Sequence, residues 1–151
     1  MEKDALRTIL FQMDLSRRRL LQPWFSSLGL TLGQGQPRIL ARLLKGDGLT
    51  QRELADECML DAATLSRALD RLEEMGLIRR EEHPGSRRSY LVRLTDTGRE
   101  KAAKVQEGFE RLEELLCQGF STDELERLRR DLEHIQANLD RCETLFPGKS
   151  T

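Results

Sequence analysis

The most constraining feature of this chain is a change of hydrophobic period between residues 50 and 94. From Thr50 to Met75 apolar residues return every three or four positions, interrupted at Met59-Leu60; from Leu77 to Leu94 they alternate with polar ones. The first period belongs to amphipathic helices and the second to half-buried strands, so the window holds two short helices followed by a hairpin. Thr50-Gln51-Arg52-Glu53 has the form of a capping box, in which the threonine hydroxyl accepts from the amide three residues on and the glutamate reaches back. Leu54, Ala55 and Cys58 form the buried face of that first helix. Asp61 suits the N-cap of the second, which runs through Met75 and is stopped by Gly76. Its Leu65, Leu69 and Leu72 point inward with Ala68 beside them, while Ala63, Arg67, Asp70 and Glu74 point the other way. Residues 77–82 and 89–94 read as strands joined by His83-Pro84-Gly85-Ser86-Arg87-Arg88.

Helices flank this window on both sides. Leu6, Ile9, Leu10, Met13, Leu20, Leu21, Trp24, Phe25 and Leu28 give residues 4–28 a helical stripe, which Pro23 is expected to kink or break near its end. After a glycine-containing joint at 29–35, Ile39, Leu40, Leu43 and Leu44 mark a helix from Gln36 or Pro37 to Lys45, ended by Gly46-Asp47-Gly48. Thr95 caps a long helix carrying Ala102, Val105, Phe109, Leu112 and Leu116, interrupted by Gly119. A last helix opens at Ser121 or Thr122 and sets Leu125, Leu128, Leu132, Ile135, Leu139, Cys142 and Phe146 in a heptad pattern closed by Pro147-Gly148. The expected fold class is mainly α with a small β-hairpin.

Composition narrows the function classes. The chain has 151 residues, with 25 Lys+Arg against 26 Asp+Glu and a net charge of −1; the length suits one ordinary domain and the bulk charge favours no charged partner. No apolar run approaches the roughly 20 residues of a membrane-spanning helix, and the first residues lack the layout of a secretory signal. The expected compartment is the cytoplasm, with no membrane partner. No nucleophile elbow, phosphate loop, HExxH or pair of catalytic carboxylates occurs, so neither an enzyme nor a cofactor is expected. Cys58, Cys117 and Cys142 are odd in number and widely spaced, with only His83 and His134 to join them, which argues against a disulfide framework and a metal site. Each falls at or next to an apolar helical position, where cysteine acts as a small buried hydrophobe; a redox sensor is the other reading.

Charge becomes informative segment by segment. Residues 78–93 hold Arg79, Arg80, Arg87, Arg88 and Arg93 against Glu81 and Glu82, a net of +3, whereas residues 121–146 carry seven acids against four arginines, a net of −3. Two helices with a tight turn, followed at once by a hairpin, make a winged helix-turn-helix, which sets its second helix in a DNA major groove and lets the hairpin reach an adjacent groove. Ala62, Ala63, Thr64 and Ser66 are small or hydrogen-bonding and let that helix approach base edges, and Arg67 and Arg71 have the reach and planar fork for guanine or phosphate. Arg87 and Arg88 stand where a long cation enters a narrow minor groove. Thr50 and Gln51, at a helix amino end, suit a phosphate oxygen. An arginine-rich hairpin also serves as a solvated edge guarded against aggregation, and Asp70, Glu73 and Glu74 repel phosphate unless arginines pair with them.

The stretch LTLGQGQPRILARLL, followed by LTQRELADECMLDAATLSRALDRLEEMGLIRREEHPGSRRSYLVRLTDTGRE, resembles the MarR family of bacterial transcription regulators. The resemblance is carried by Leu30, Thr31 and Gln34, by LSRALDRLEEMGLI and by LTDTGRE; it covers about residues 30–100 by motif and the whole chain by element order. It implies a homodimer whose N-terminal and two C-terminal helices interlock, and two winged heads on a pseudo-palindromic operator in double-stranded DNA. Arg88 is then the wing-tip arginine, and Ala63, Thr64, Ser66 and Arg67 face the major groove. The division that follows is an N-terminal dimerisation helix at 1–29, a winged helix-turn-helix at 30–95 (helix pair about 50–75, wing about 77–94), C-terminal dimerisation helices at 96–146 and a tail at 147–151.

Three terminal helices with apolar stripes exceed what one small head can cover, which favours the dimer over an intrachain helical layer. Ser86 departs from the family, which often has Asp two residues before the wing arginine; a weaker hydrogen bond replaces a charge pair, and a more mobile wing is expected. The resemblance further implies a repressor released by a small aromatic or apolar effector. Met13, Trp24, Phe25 and Phe109 are candidates to line a pocket for it, or are plain core. Oxidant-sensing relatives carry a cysteine in the first helix, and none precedes Cys58 here. The alternative is a winged-helix protein-interaction module without specific DNA binding, using its acidic last helix.

Overall fold

The computed structural model describes residues 2–148. In chain order they form α1 (Ala5–Ser27), a 3-10 turn (Leu32–Gln34), α2 (Gln36–Lys45), β1 (Leu49–Thr50), α3 (Gln51–Cys58), α4 (Ala62–Glu74), β2 (Ile78–His83), β3 (Ser86–Leu94), α5 (Asp96–Cys117) and α6 (Thr122–Asp140). The chain divides into two compact units, one reaching to Leu112 and one starting at Glu113.

The core of the first unit is built from the residues that periodicity selects. Ile39, Leu40 and Leu43 of α2, Leu54 and Cys58 of α3, and Leu65, Leu69 and Leu72 of α4 are buried, as are Val92 of β3 and Val105 of α5. The C-terminal part of α1 joins them through Leu21 and Phe25, followed by Leu28. Its amino-terminal half does not: Leu6, Ile9, Leu10 and Met13 are exposed in the single chain. Helix α1 runs through Pro23 to Ser27, so Pro23 lies within its last turns and does not break it. The chain leaves the helix where the amides of Leu28 and Gly29 bond the carbonyls of Phe25 and Ser26 and Gly29 takes a φ of 76°.

The sheet corrects the hairpin expectation in two ways. It has three antiparallel strands in the order β1-β3-β2, with Leu49 opposite Val92 and Thr50 opposite Leu91; two residues are too few to display an alternation, so β1 left no sequence signal. The link between the long strands is also shorter than residues 83–88. His83 pairs with Ser86 across Pro84-Gly85, while the preceding pair is Glu82 with Tyr90. Arg87, Arg88 and Ser89 therefore stand between successive pairs as a bulge of β3, a device that re-aims side chains at the end of a ladder. Side chains take the amides there: His83 Nδ1 accepts from Gly85 (2.9 Å) and Ser86 Oγ from Arg88 (3.3 Å).

Helix α5 starts against the base of this sheet. Thr95 Oγ1 accepts from the Gly98 amide (2.9 Å) and donates to the Gly76 carbonyl (2.6 Å). A Cβ on Gly98 would stand 1.8 Å from the Leu77 carbonyl oxygen, so only glycine permits the approach.

In the second unit α6 opens with a complete capping box between Ser121 and Glu124. It ends at Asp140, so Cys142 and Phe146 of the expected heptad lie beyond it. There Cys142 Sγ donates to the Thr144 carbonyl and Thr144 Oγ1 accepts from the Phe146 amide, local bonds that compete with helix continuation. No residue of α6 is buried. Of the expected tail, residues 149–151 lie outside the described ones. Cys58 is buried, Cys117 half-buried and Cys142 exposed, so the buried-hydrophobe reading holds for Cys58, whose thiol is pushed up by that burial.

Candidate nucleic-acid interface

The start of α4 is fixed by its cap. Asp61 accepts from the Thr64 amide and from the Thr64 hydroxyl, both at 2.8 Å. These bonds, amide first, hold the Asp61 carboxyl below the usual carboxylate range and keep it ionised. The α4 amino end thus has its anion already, and Thr64 has committed its hydroxyl proton. Helix α3 differs, because its cap is neutral: Thr50 Oγ1 accepts from the Glu53 amide at 3.2 Å. Only this half of the expected box forms, since among the described residues no bond returns from the Glu53 carboxylate to the Thr50 amide. The α3 amino end therefore has a neutral cap, with half-buried Thr50 and Gln51 beside it and Glu53 as the acid of its first turn. Met59 between the helices takes a left-handed φ of 55° and is almost wholly solvent-facing.

On α4 the exposed residues include Ala62, Ala63, Arg67 and Arg71, with Thr64 and Ser66 half-buried. All six lie on the solvent side of the helix whose Leu65, Leu69 and Leu72 enter the core. The acids on this helix are engaged: Asp70 and Glu73 with Arg80 of β2 (2.9 and 3.3 Å), and Glu74 with Arg71 (3.4 Å). Arg67 has no acidic partner within 4 Å among the described residues. With Asp70, Arg71 and Glu74 it lines one wall of a groove of about 390 Å³, whose other wall is Gly29, Thr31, Gln34 and Gln36.

The wing's +3 charge is smaller in space than in sequence. Arg79 and Arg93 face each other across the ladder, and Glu81 sits between them, bonded to Arg79 (3.0 Å) and to Arg93. The two guanidinium groups, Arg93 the more strongly, draw the Glu81 carboxyl below its usual range. Arg93 also reaches Asp47 (3.4 Å), whose other oxygen accepts from the Leu94 amide (3.0 Å). Of the five wing arginines only Arg87 and Arg88, both exposed in the bulge, have no acid within reach among the described residues. Ser86 leaves them so: its hydroxyl holds the Arg88 amide without bringing a negative charge.

With that surface in view, the likeness to known proteins is specific. A family model described as MarR family matches residues 28–89. An HTH-type transcriptional regulator of Bacillus subtilis (strain 168), YdgJ, described as uncharacterized, is 30% identical over 113 residues, covering 70% of this chain and 69% of its own. The chain belongs to the MarR family. A crystal structure of MarR is 32% identical with a TM-score of 0.71, covering 93% of this chain and 95% of that one. A MarR-family regulator of Listeria monocytogenes, complexed with a 26mer DNA, is 26% identical with a TM-score of 0.77 over 91% and 89% of the two chains. MarR-family members are transcription regulators and not enzymes, and the winged-helix fold is theirs.

The candidate effector residues of this MarR-family chain are only partly brought together. Phe25 is fully buried and meets Phe109 edge-on at 5.2 Å. Trp24 is partly exposed, and its Nε1 donates to the Lys104 carbonyl (2.9 Å); its ring lies where a Cβ on Gly108 would stand. Met13 lies 11 residues earlier on α1, about 16 Å along the helix axis, and is exposed. Sequence reasoning missed Asp47, Arg80 and Glu81 as organisers of the wing. Their pairings are distant in sequence, reaching from Asp47 to Arg93 and Arg99, and the available signal was only that acids on α4 need basic partners. Among the described residues no group of His, Cys, Asp and Glu is arranged to hold a metal ion, and no helix is long and apolar enough to cross a membrane.

Proposed function

We propose that this MarR-family regulator is a homodimeric, sequence-specific DNA-binding protein that represses transcription from a pseudo-palindromic operator and is released by a small aromatic or apolar effector. The observation that carries the reading is the sorting of charge on the head. Every acid on the outer side of α4 is paired, while among the described residues Arg67 on the helix and Arg87 and Arg88 at the wing tip have no acidic partner and are exposed. In this reading Ala62, Ala63, Thr64, Ser66 and Arg67 meet base edges. Thr50, Gln51 and Arg71 hold phosphates, and Arg87 and Arg88 enter the minor groove. The Listeria monocytogenes regulator, crystallised with a 26mer DNA, supports it by analogy.

Dimerisation is supported by apolar residues that the single chain leaves uncovered, Ile9 and Phe11 of α1 and Leu128, Leu132 and Leu139 of α6. In the proposed division residues 1–29 and 96–146 serve the dimer and 30–95 the operator, with two heads about one helical turn apart, roughly 34 Å. In this reading the protein works in the cytoplasm. Because Asp70, Glu73 and Glu74 are engaged, they no longer favour the alternative, a protein-interaction module, which keeps only Ser86 and the acidic last helix.

The test is selection of bound duplexes from random and genomic DNA by the full chain. Enrichment of an inverted repeat with half-sites one turn apart is expected, and recovery without any shared sequence would refute specific recognition. Trp24 is the single tryptophan, so its fluorescence reads the effector part of the proposal. Salicylate, taken as a probe phenol, should change the emission and weaken binding to the selected duplex together.

A further inference from the structure

Arg80 differs from every other arginine of the wing. Its side chain is about four-fifths buried, 18% exposed, at the junction of β2 and α4. Nη2 donates to Asp70 and Nη1 to Glu73, while Nε is buried with no partner. A buried N–H without an acceptor costs stability, so packing alone does not account for an arginine here; a demand on its charge does. That demand is visible on α4. Asp70 and Glu73 are one helical turn apart and substantially exposed, on the helix where, among the described residues, Arg71 has an acidic partner and Arg67 has none. Left alone, the two carboxylates would outweigh Arg67 beside any phosphate, and like charges set against each other at an interface are strongly unfavourable.

We propose that Arg80 is a positioning residue for DNA binding: it cancels the Asp70 and Glu73 charges so that the Arg67 side of α4 can approach the DNA backbone. The inference rests on the DNA-binding reading above. Arg80 itself touches no phosphate. Its Nη groups are occupied, and it pairs across the ladder with Val92, well away from the bulge.

Three variants of the full chain separate this role from a structural brace and from direct contact. The probe is a fluorescein-labelled duplex that the wild type recovers from a random-sequence pool, titrated by anisotropy over a range of salt. Arg80→Gln should weaken binding at least about tenfold at low salt, with the deficit shrinking as added salt screens the freed carboxylates. Asp70→Asn/Glu73→Gln, which breaks the same contacts and keeps Arg80, should bind no more weakly than wild type. The triple variant should return to within about threefold of wild type. A brace is the answer instead if Asp70→Asn/Glu73→Gln weakens binding as Arg80→Gln does, and a direct phosphate contact if adding Arg80→Gln to the Asp70→Asn/Glu73→Gln background lowers the salt slope by about 0.9. Either result overturns the proposal, as does a triple variant that stays as weak as Arg80→Gln. If the wild type recovers no duplex, the DNA-binding reading falls and this inference with it; if it binds and Arg80→Gln binds equally well, only this inference falls.

Discussion

The base and the tip of the wing are made of the same residue type and behave in opposite ways. At the base Arg79 and Arg93 are direct cross-strand partners, an arrangement that is destabilising unless something neutralises it. Glu81 does so, two residues along the same face, and Asp47 anchors Arg93 from the other side. At the tip the register jumps between Glu82 and His83, three residues of β3 fall out of the ladder, and the two arginines among them meet no acid among the described residues. Arginine density along the sequence is therefore a poor guide to where a charged ligand is met. The ladder decides which cations are spent on the fold and which are left for a partner.

The comparison can be broken at its strongest point by removing the tip charges. Arg87→Ala/Arg88→Ala should lower affinity for the selected duplex by on the order of a hundredfold and reduce the salt slope by about 1.8, as expected for two cations that displace counterions from the groove. A loss without a change of slope would mean that the tip acts through shape. Next in size is Arg67→Ala on α4, expected to cost about 1–3 kcal/mol of discrimination between the selected duplex and one with a substituted base pair, measured by competition. Equal losses on both duplexes would assign Arg67 to the backbone. Smallest is Arg79→Ala at the base. Its charge belongs to Glu81 on an exposed surface, so affinity should move less than about threefold and thermal stability by no more than about 1 kcal/mol. If Arg79→Ala matched the tip variant, the distinction between base and tip would be void.

How much of this was legible in the sequence depended on the range of the interaction. Helices α3 and α4, their caps Thr50 and Asp61, and the inward leucines follow from neighbours three or four positions apart, and the core uses them as expected. The wing's existence was legible from alternation and its register was not. Pro84 and Gly85 mark a turn, but the bulge depends on His83 Nδ1 and Ser86 Oγ capturing amides, which no period encodes. The pairing of Arg80 with Asp70 and Glu73 was foreseeable only as a need, because choosing among five arginines requires the fold of β2 onto α4. Helix α6 teaches the complement. Its stripe is as regular as that of α4, yet Leu128, Leu132 and Leu139 stay uncovered in one chain: a period states that a face wants covering and is silent on what covers it.

The central claim, that the α4 face and the wing tip together meet DNA, is tested most directly by amide hydrogen exchange of the full chain with and without the selected duplex. The account predicts slowed exchange in two places: the first turn of α4, at Ala62 and Ala63, and residues 85–88 of the wing tip. Slowing confined to residues 113–148, with both of these segments unchanged, would contradict it.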